Sequence, residues 1–256
     1  MKKKFMFTKD SSFTHVKSEI HKEVTEHIVQ DDETKKLYHH VVSYGSWFRI
    51  TYESIFMSHL LKKIGITGFG VAYSADDCEI DLPCYPYHKP KRKSVVEIPE
   101  FIELKDIDFG RSKSEESEKF KQTFMGKTYK KKHEIGFVYD ITSEDLLQHL
   151  FSCFPFYFGT AKEEDKVYPL YCILYRCSLK KKDELKKYLK YTDIGEYPEI
   201  RQILEKFVEI DIEKAIKIFE DEIETELVDL KKDLTERQEV IKDYLSKYLI
   251  SEVKEI

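Results

Sequence analysis

Acidic and basic side chains in the first half of the sequence are of the types that a metal-dependent hydrolase uses. Asp81 lies in a short apolar segment, and Glu103 and Lys105 follow at the end of a strand-like run, two positions apart. Carboxylates of this kind hold Mg²⁺, and a neighbouring lysine positions the attacking water or stabilises developing charge. These residues predict a hydrolytic magnesium site, with Glu53 as an additional ligand.

This arrangement looks like the acidic pair and Glu-x-Lys motif of PD-(D/E)xK nucleases, and the resemblance implies a Mg²⁺-dependent nuclease. The pattern of an acid, any residue and a lysine occurs at five other places, as expected in a chain that is 36% charged. Only its position after an apolar run distinguishes Glu103 from those other matches. The nuclease is therefore the alternative hypothesis for this protein.

A second chemical pattern joins Cys78, Cys84 and His88 at the spacing C-x5-C-x3-H. This spacing resembles the last three ligands of a CCCH zinc finger, although the first cysteine of such a finger is missing upstream. Cys172 and Cys177 are candidates for the fourth ligand if the fold brings them near. Buried structural cysteine is the competing interpretation, because cysteine is among the most buried residue types.

Basic residues cluster around this segment and again further along the chain. Tyr85 and Tyr87 precede the first cluster, and interleaved aromatic and basic side chains suit single-stranded nucleic acid. The candidate nucleic-acid contacts are Lys89, Lys91, Arg92, Lys93, Lys130, Lys131 and Lys132. Because the chain has six Arg against 37 Lys, solvated lysine is the competing interpretation. A zinc-stabilised single-stranded RNA binder is thus a further alternative.

Other catalytic motifs are missing from the sequence, which has no Walker loop, no GxSxG and no HExxH. Gly65, Gly68 and Gly70 have the wrong spacing for a dinucleotide-binding turn. His39-His40 and His59 are close in sequence to Arg49 and Glu53. A catalytic acid–base pair among these residues is therefore an open alternative.

The elements that must position these residues mix strands and helices without the alternation of a parallel sheet. The pattern predicts an α+β fold with a mixed or antiparallel sheet and flanking helices. Phe13, Val16, Ile20, Val24 and Ile28 recur every three or four positions and predict a first helix of about 18 residues.

Further along, residues 37–61 form an apolar segment that ends before Gly65, with an early part that suits a strand or a helix. Residues 66–73 and 78–82 flank a polar turn and predict a hairpin. Residues 95–104 and 167–177 predict strands, and the chain is expected to be helical from residue 179, with an interruption near Gly195 and Pro198.

The composition indicates an ordered protein. The 256 residues are 41% hydrophobic and include 17 Tyr and 17 Phe, enough for a sizeable core. No apolar run is long enough to cross a membrane and no signal-peptide core is visible, so neither membrane insertion nor secretion is expected. The five cysteines are odd in number and irregularly spaced, which favours reduced thiols in a cytoplasm.

The last 58 residues contain neither Gly nor Pro, and their apolar side chains recur at coiled-coil-like spacing. This predicts a long amphipathic helix or, with a break near residues 234–237 where Arg237 would face inward, a helical hairpin. Residues 199–256 carry 10 Lys and Arg against 17 Asp and Glu, a net charge of −7, so the remainder carries +2 of the total −5. An acidic surface does not attract nucleic acid. A partner-binding or self-associating arm and a helix folded onto its own domain remain equal alternatives.

Taken together, the sequence favours an α+β domain over residues 1–178 and a helical region over residues 179–256. The preferred hypothesis is a cytoplasmic, non-membrane interaction protein without an evident catalytic site, which binds a protein partner or self-associates through residues 199–256. Mg²⁺ or Zn²⁺ and a nucleic-acid partner belong to the two alternatives.

Overall fold

A computed structural model gives the fold of a large part of the chain. The structure describes residues 4–20, 24–44, 50–65, 71–79, 92–97, 153–163, 166–175, 185–186, 189–190 and 198–254. The predicted α+β class is confirmed, because an antiparallel five-stranded sheet is combined with helices.

The sheet has the strand order β1-β2-β3-β5-β4, and every neighbouring pair is antiparallel. Its strands are β1 Phe13–Ile20, β2 Val24–Asp31, β3 Leu37–Ser43, β4 Ala72–Ser74 and β5 Arg92–Glu97. The central strand β3 is buried at every position from Tyr38 to Ser43. A core cluster forms where Val29, Tyr38 and Val95 meet Phe7 and Cys78.

The predicted first helix is wrong, since its residues form the hairpin of β1 and β2. The register of this hairpin shifts between His15 and Lys17, so an irregularity breaks the two-residue alternation inside β1. Such a bulge makes apolar residues recur at irregular spacing, which resembles a helical period. Valine, isoleucine and threonine are frequent here, and these β-branched residues favour a strand.

The predicted hairpin of residues 66–73 with 78–82 is also wrong in its pairing. β4 pairs with β5, so Tyr73 lies opposite Val95 rather than opposite a residue just after the turn. The outer edge of β4 binds the N-terminal segment in a parallel bridge, in which Phe7 N donates to Ser74 O and Ser74 N donates to Phe5 O. The pairing of β4 with β5 and with the N-terminal segment joins residues that are distant in sequence, so no local sequence pattern predicts it.

The helix α1, Tyr52–Lys63, begins after Thr51, whose hydroxyl accepts the Ser54 N–H. It ends as predicted before Gly65, which adopts φ +93°. Ser58 Oγ accepts the N–H of Ala72 and His59 Nε2 donates to the Ala72 carbonyl, so α1 satisfies the backbone of β4 that the N-terminal segment leaves open.

Two further strands, β6 Cys153–Glu163 and β7 Lys166–Tyr175, form a separate two-stranded sheet. The predicted strand at residues 167–177 is confirmed in position over most of its length.

The C-terminal residues form three helices instead of one long helix: α2 Pro198–Val208, α3 Ile212–Ile223 and α4 Val228–Lys254. Both α2 and α3 pack against α4. The predicted break near residues 234–237 is wrong, because α4 is continuous there and the chain turns at residues 224–227. The apolar stripe is buried between these helices, through Ile212, Ile216, Phe219, Ile223, Leu227, Leu230, Leu234, Ile241 and Leu245.

The chain divides into two compact units, one built on the five-stranded sheet and the other containing α2, α3 and α4. The predicted boundary at residue 178 lies outside the described ranges. Within those ranges, no helix has both the length and the apolar character required to cross a bilayer.

Candidate functional site

The residues predicted to form a magnesium site are not placed by the structure. Asp81, Glu103 and Lys105 lie outside the described residues. Glu53, the additional ligand, lies in the first turn of α1, where a carboxylate favourably meets the positive end of the helix dipole. The magnesium site therefore stays a prediction.

Of the predicted zinc ligands, Cys78 alone is described, and it is a core residue. It is fully buried, and its thiol donates to the carbonyl of Ser11 at 3.7 Å. Burial raises the pKa of this thiol to about 11, which keeps it protonated, whereas zinc binds the thiolate. Cys84 and His88 lie outside the described residues, and the part of the chain that is described contains no group of three metal ligands.

Two of the predicted nucleic-acid contacts, Arg92 and Lys93, are held by neighbouring groups of the fold. The Arg92 guanidinium lies 3.8 Å from the ring centroid of Tyr52 and its Nε is 3.7 Å from the carboxylate of Asp76. Lys93 Nζ donates to the Cys78 carbonyl at 3.3 Å. The other predicted contacts, Lys89, Lys91, Lys130, Lys131 and Lys132, lie outside the described residues.

The carboxylate of Asp76 holds the turn after β4. Its Oδ1 accepts the Lys93 N–H at 2.7 Å and its Oδ2 accepts the Ser74 hydroxyl at 3.2 Å. These bonds join the turn to β5. Both carboxylate oxygens of Asp76 thus accept hydrogen bonds from residues of the sheet.

The histidines of interest occupy structural positions in the sheet unit. His59 lies between Phe5 and Tyr73, with ring centroids at 4.6 and 5.0 Å, and burial lowers its pKa to about 4. His39 and His40 are neighbours on β3 and both are buried. Across the sheet, His40 lies directly opposite His27, a residue that sequence reasoning missed because the strand register is needed to pair them.

Acidic residues are concentrated in and beside the turn between α3 and α4. Residues 220–229 contain six carboxylates and neither Lys nor Arg. Four of them are exposed: Asp221, Glu224, Glu226 and Asp229. We call residues 220–229 the acidic junction.

Hydrogen bonds fix the shape of the acidic junction. Glu224 adopts φ +53° and its N–H donates to Glu220 O, which ends α3. Glu220 Oε1 accepts the Leu227 N–H at 2.6 Å, and the Leu227 side chain is buried. The next side chain, Val228, is 64% exposed, and in the sequence it lies between Glu226 and Asp229.

The ion pairs around the acidic junction involve lysines on its flanks. Lys217 Nζ lies 2.8 Å from Asp221, and the hydrogen bond to this carboxylate raises the pKa of Lys217. Lys231 Nζ lies 3.6 Å from Glu213 and joins α4 to α3. Among the ion pairs formed by described residues, none involves Glu224, Glu226 or Asp229, although the charge of Glu226 also helps to raise the pKa of Lys217.

Comparison of the chain with protein families, with curated proteins and with solved structures finds no match. The class of protein is therefore defined by its own fold, an α+β protein with an antiparallel sheet unit and a helical unit that carries a concentrated negative charge.

Proposed function

We propose that this is a cytoplasmic, non-enzymatic interaction protein that binds a basic segment of a protein partner through the acidic junction. The observation that carries the proposal is the concentration of exposed carboxylates around Val228 on a turn held by hydrogen bonds. The cytoplasmic setting follows from the odd number and irregular spacing of the cysteines.

Charge complementarity selects the class of partner. A surface of one sign raises the local concentration of ligands of the opposite sign and speeds their association. Nucleic acid carries the same sign as the acidic junction and is repelled, whereas a Lys- and Arg-rich protein segment is attracted. Val228 adds an apolar contact at the centre, where removal of water from the interface contributes most to affinity.

The fold of the helical unit favours the acidic junction, rather than the apolar stripe, as the surface that binds a partner. The stripe is buried where α3 packs against α4, so a coiled coil with another chain would require these helices to separate. The acidic junction needs no rearrangement, because its backbone is already fixed by Glu220 and Leu227.

Site-specific cross-linking tests the proposal. A photoreactive amino acid at Val228 is compared with the same group at Glu239, an exposed position on α4. We expect a discrete adduct in cell extract from Val228 alone, with a partner whose cross-linked peptide is rich in Lys and Arg. The yield of the adduct should fall at least about fivefold at high salt, because salt screens exposed charges.

A charge-reversed variant provides the matched control. Glu224→Lys combined with Glu226→Lys should abolish the adduct, while Glu209→Lys combined with Glu239→Lys makes the same change of net charge at other exposed positions and should retain it. Equal loss in both variants, or identical adducts from positions 228 and 239, would show that the acidic junction is not the binding surface.

A further inference from the structure

Three histidines form a row across the first three strands of the sheet. His15 on β1 and His27 on β2 have ring centroids 5.9 Å apart, and His27 and His40 on β3 are nearly parallel at 5.8 Å. His27 and His40 face each other directly in the strand register. We call His15, His27 and His40 the histidine row.

Solvent reaches only one end of the histidine row. His15 is exposed, whereas His27 and His40 are 1% and 2% exposed. Thr25, two residues before His27 and therefore on the same face of β2, is also fully buried. The inner end of the row thus lies in an environment from which water is excluded.

The groups around His40 disfavour a positive charge. Among the described residues, neither of its ring nitrogens has a hydrogen-bond partner. The charged groups that act on it are His27 on β2, Lys93 on β5 and His39 on the opposite face of β3, and all three are bases. Within the described part of the chain, no carboxylate forms an ion pair with His40. Burial and, secondarily, these bases lower the pKa of His40 to about 3.

We propose that the histidine row is a pH-sensitive element that opens the five-stranded sheet in mildly acidic solution while helices α2, α3 and α4 remain folded. Opening exposes His40 to water, where it accepts a proton and repels its basic neighbours. Residues 198–254 contain no histidine, so acidification between pH 7.5 and 5.5 titrates no such group there. This proposal does not depend on the acidic junction. If the histidine row proves insensitive to pH, the proposed binding of a partner is unaffected.

The direction of the effect follows from proton linkage. In the open state His40 regains its ordinary pKa of about 6.5, while in the closed sheet it stays neutral. The open state therefore binds more protons, and stability is present above pH 6.5 and is lost as the pH falls below it. Lowering the pH from 7.5 to 5.5 raises the opening constant by about tenfold for each histidine that is freed.

Hydrogen exchange of the full chain, followed by mass spectrometry, tests this inference. We expect the protection factors of peptides from β2 and β3 to fall at least about tenfold from pH 7.5 to 5.5, once the intrinsic pH dependence of exchange is removed. Peptides from α3 and α4 should change by less than about twofold. Equal changes in both units, or no change in the sheet, would overturn the proposal.

Variants assign the effect to the buried end of the histidine row. His40→Leu should reduce the pH-dependent loss of protection by about tenfold, whereas His15→Gln, at the exposed end, should leave it unchanged. If circular dichroism shows that His40→Leu is unfolded at pH 7.5, His40→Phe replaces it with a side chain closer in shape to imidazole. A full pH response in a folded His40 variant would contradict the assignment.

Discussion

At the scale of single residues, buried polar side chains hold the helical unit together. Gln238 on α4 is 7% exposed, and its Nε2 donates to the carbonyls of Phe207 and Ile210 at 2.7 and 2.8 Å. Phe207 lies in the last turn of α2, whose carbonyls have no intrahelical donors, and Ile210 follows two residues after the helix ends. One amide thus caps α2 and fixes its position on α4.

Replacing this amide should be costly. Gln238→Glu removes both donors and places a carboxylate against two carbonyl oxygens, so we expect a loss of about 3 kcal/mol or more in unfolding free energy at pH 7. The deficit should shrink near pH 4, because a protonated Glu regains one donor. Urea unfolding measures both values. Glu239→Gln, at the exposed neighbouring position, should change stability by less than about 0.5 kcal/mol, and similar losses in the two variants would contradict the capping role.

Arg237 shows why the sequence misplaced the helix break. It is fully buried, and its Nε donates to Asp233 Oδ2 at 2.8 Å, one turn earlier on α4. A charged residue in an apolar stripe suggests an interruption, yet a buried partner at i−4 lets the helix continue. The pairing can be read from the spacing of Asp233 and Arg237, but the burial of Asp233 cannot.

At the scale of elements, the turn between α3 and α4 forms without glycine. Glu224 occupies the left-handed region at φ +53°, a conformation that costs a residue with a Cβ about 1 kcal/mol. Glu224→Gly should therefore stabilise the protein by about 0.5–1 kcal/mol in urea unfolding. Lys217→Gly, at an exposed interior position of α3, should instead destabilise by about 1 kcal/mol. Effects of the same sign would mean that Glu224 is not held in this conformation.

The elements also mark how far sequence reasoning reaches. The α+β class, the end of α1 at Gly65 and the strand near residues 167–177 follow from composition, a helix stop and a continuous apolar run. The hairpin of β1 and β2 was missed because a register irregularity disturbs its alternation. The α3–α4 turn was missed because its left-handed position holds Glu224, whereas a glycine there would have indicated the end of a helix. The histidine row was missed because cross-strand register decides which side chains meet.

For the candidate sites too, the sequence reveals residue type and charge, whereas burial and partners depend on the fold. Cys78, Arg92 and Lys93 were singled out by type and spacing, whereas their partners are set by the fold: Cys78 contacts Ser11 before β1, Arg92 contacts Tyr52 on α1, and Lys93 contacts Cys78 after β4. The acidic junction was visible in the sequence only as the negative charge of residues 199–256. Its concentration around Val228 depends on where the turn falls, and a long uninterrupted helix would have distributed these carboxylates around its axis.

At the scale of the whole molecule, the distribution of apolar surface predicts the oligomeric state. The stripe of residues 212–245 resembles a coiled-coil seam, but the helices α3 and α4 bury it against each other and α2. The large hydrophobic residues that the described part of the chain exposes are Val16, Ile218 and Val228. Among the residues whose side-chain exposure is described, these three do not make an apolar patch of the size that a stable homodimer buries.

We therefore expect native mass spectrometry at about 10 µM, in the micromolar range where specific homodimers of this size associate, to show a single chain of 30.5 kDa. A dimer that dissociates in Val228→Lys would contradict this expectation and would make self-association the function of the acidic junction. The same spectrum tests the zinc hypothesis, since the predicted site would show a bound metal ion that is lost in Cys84→Ser, and Cys78 would have to leave its position in the core to bind that ion. Because its thiol is buried and protonated, binding zinc would release a proton and carry a free-energy cost that rises as the pH falls. A zinc affinity that does not change with pH would thus exclude Cys78 as a ligand even if zinc is present.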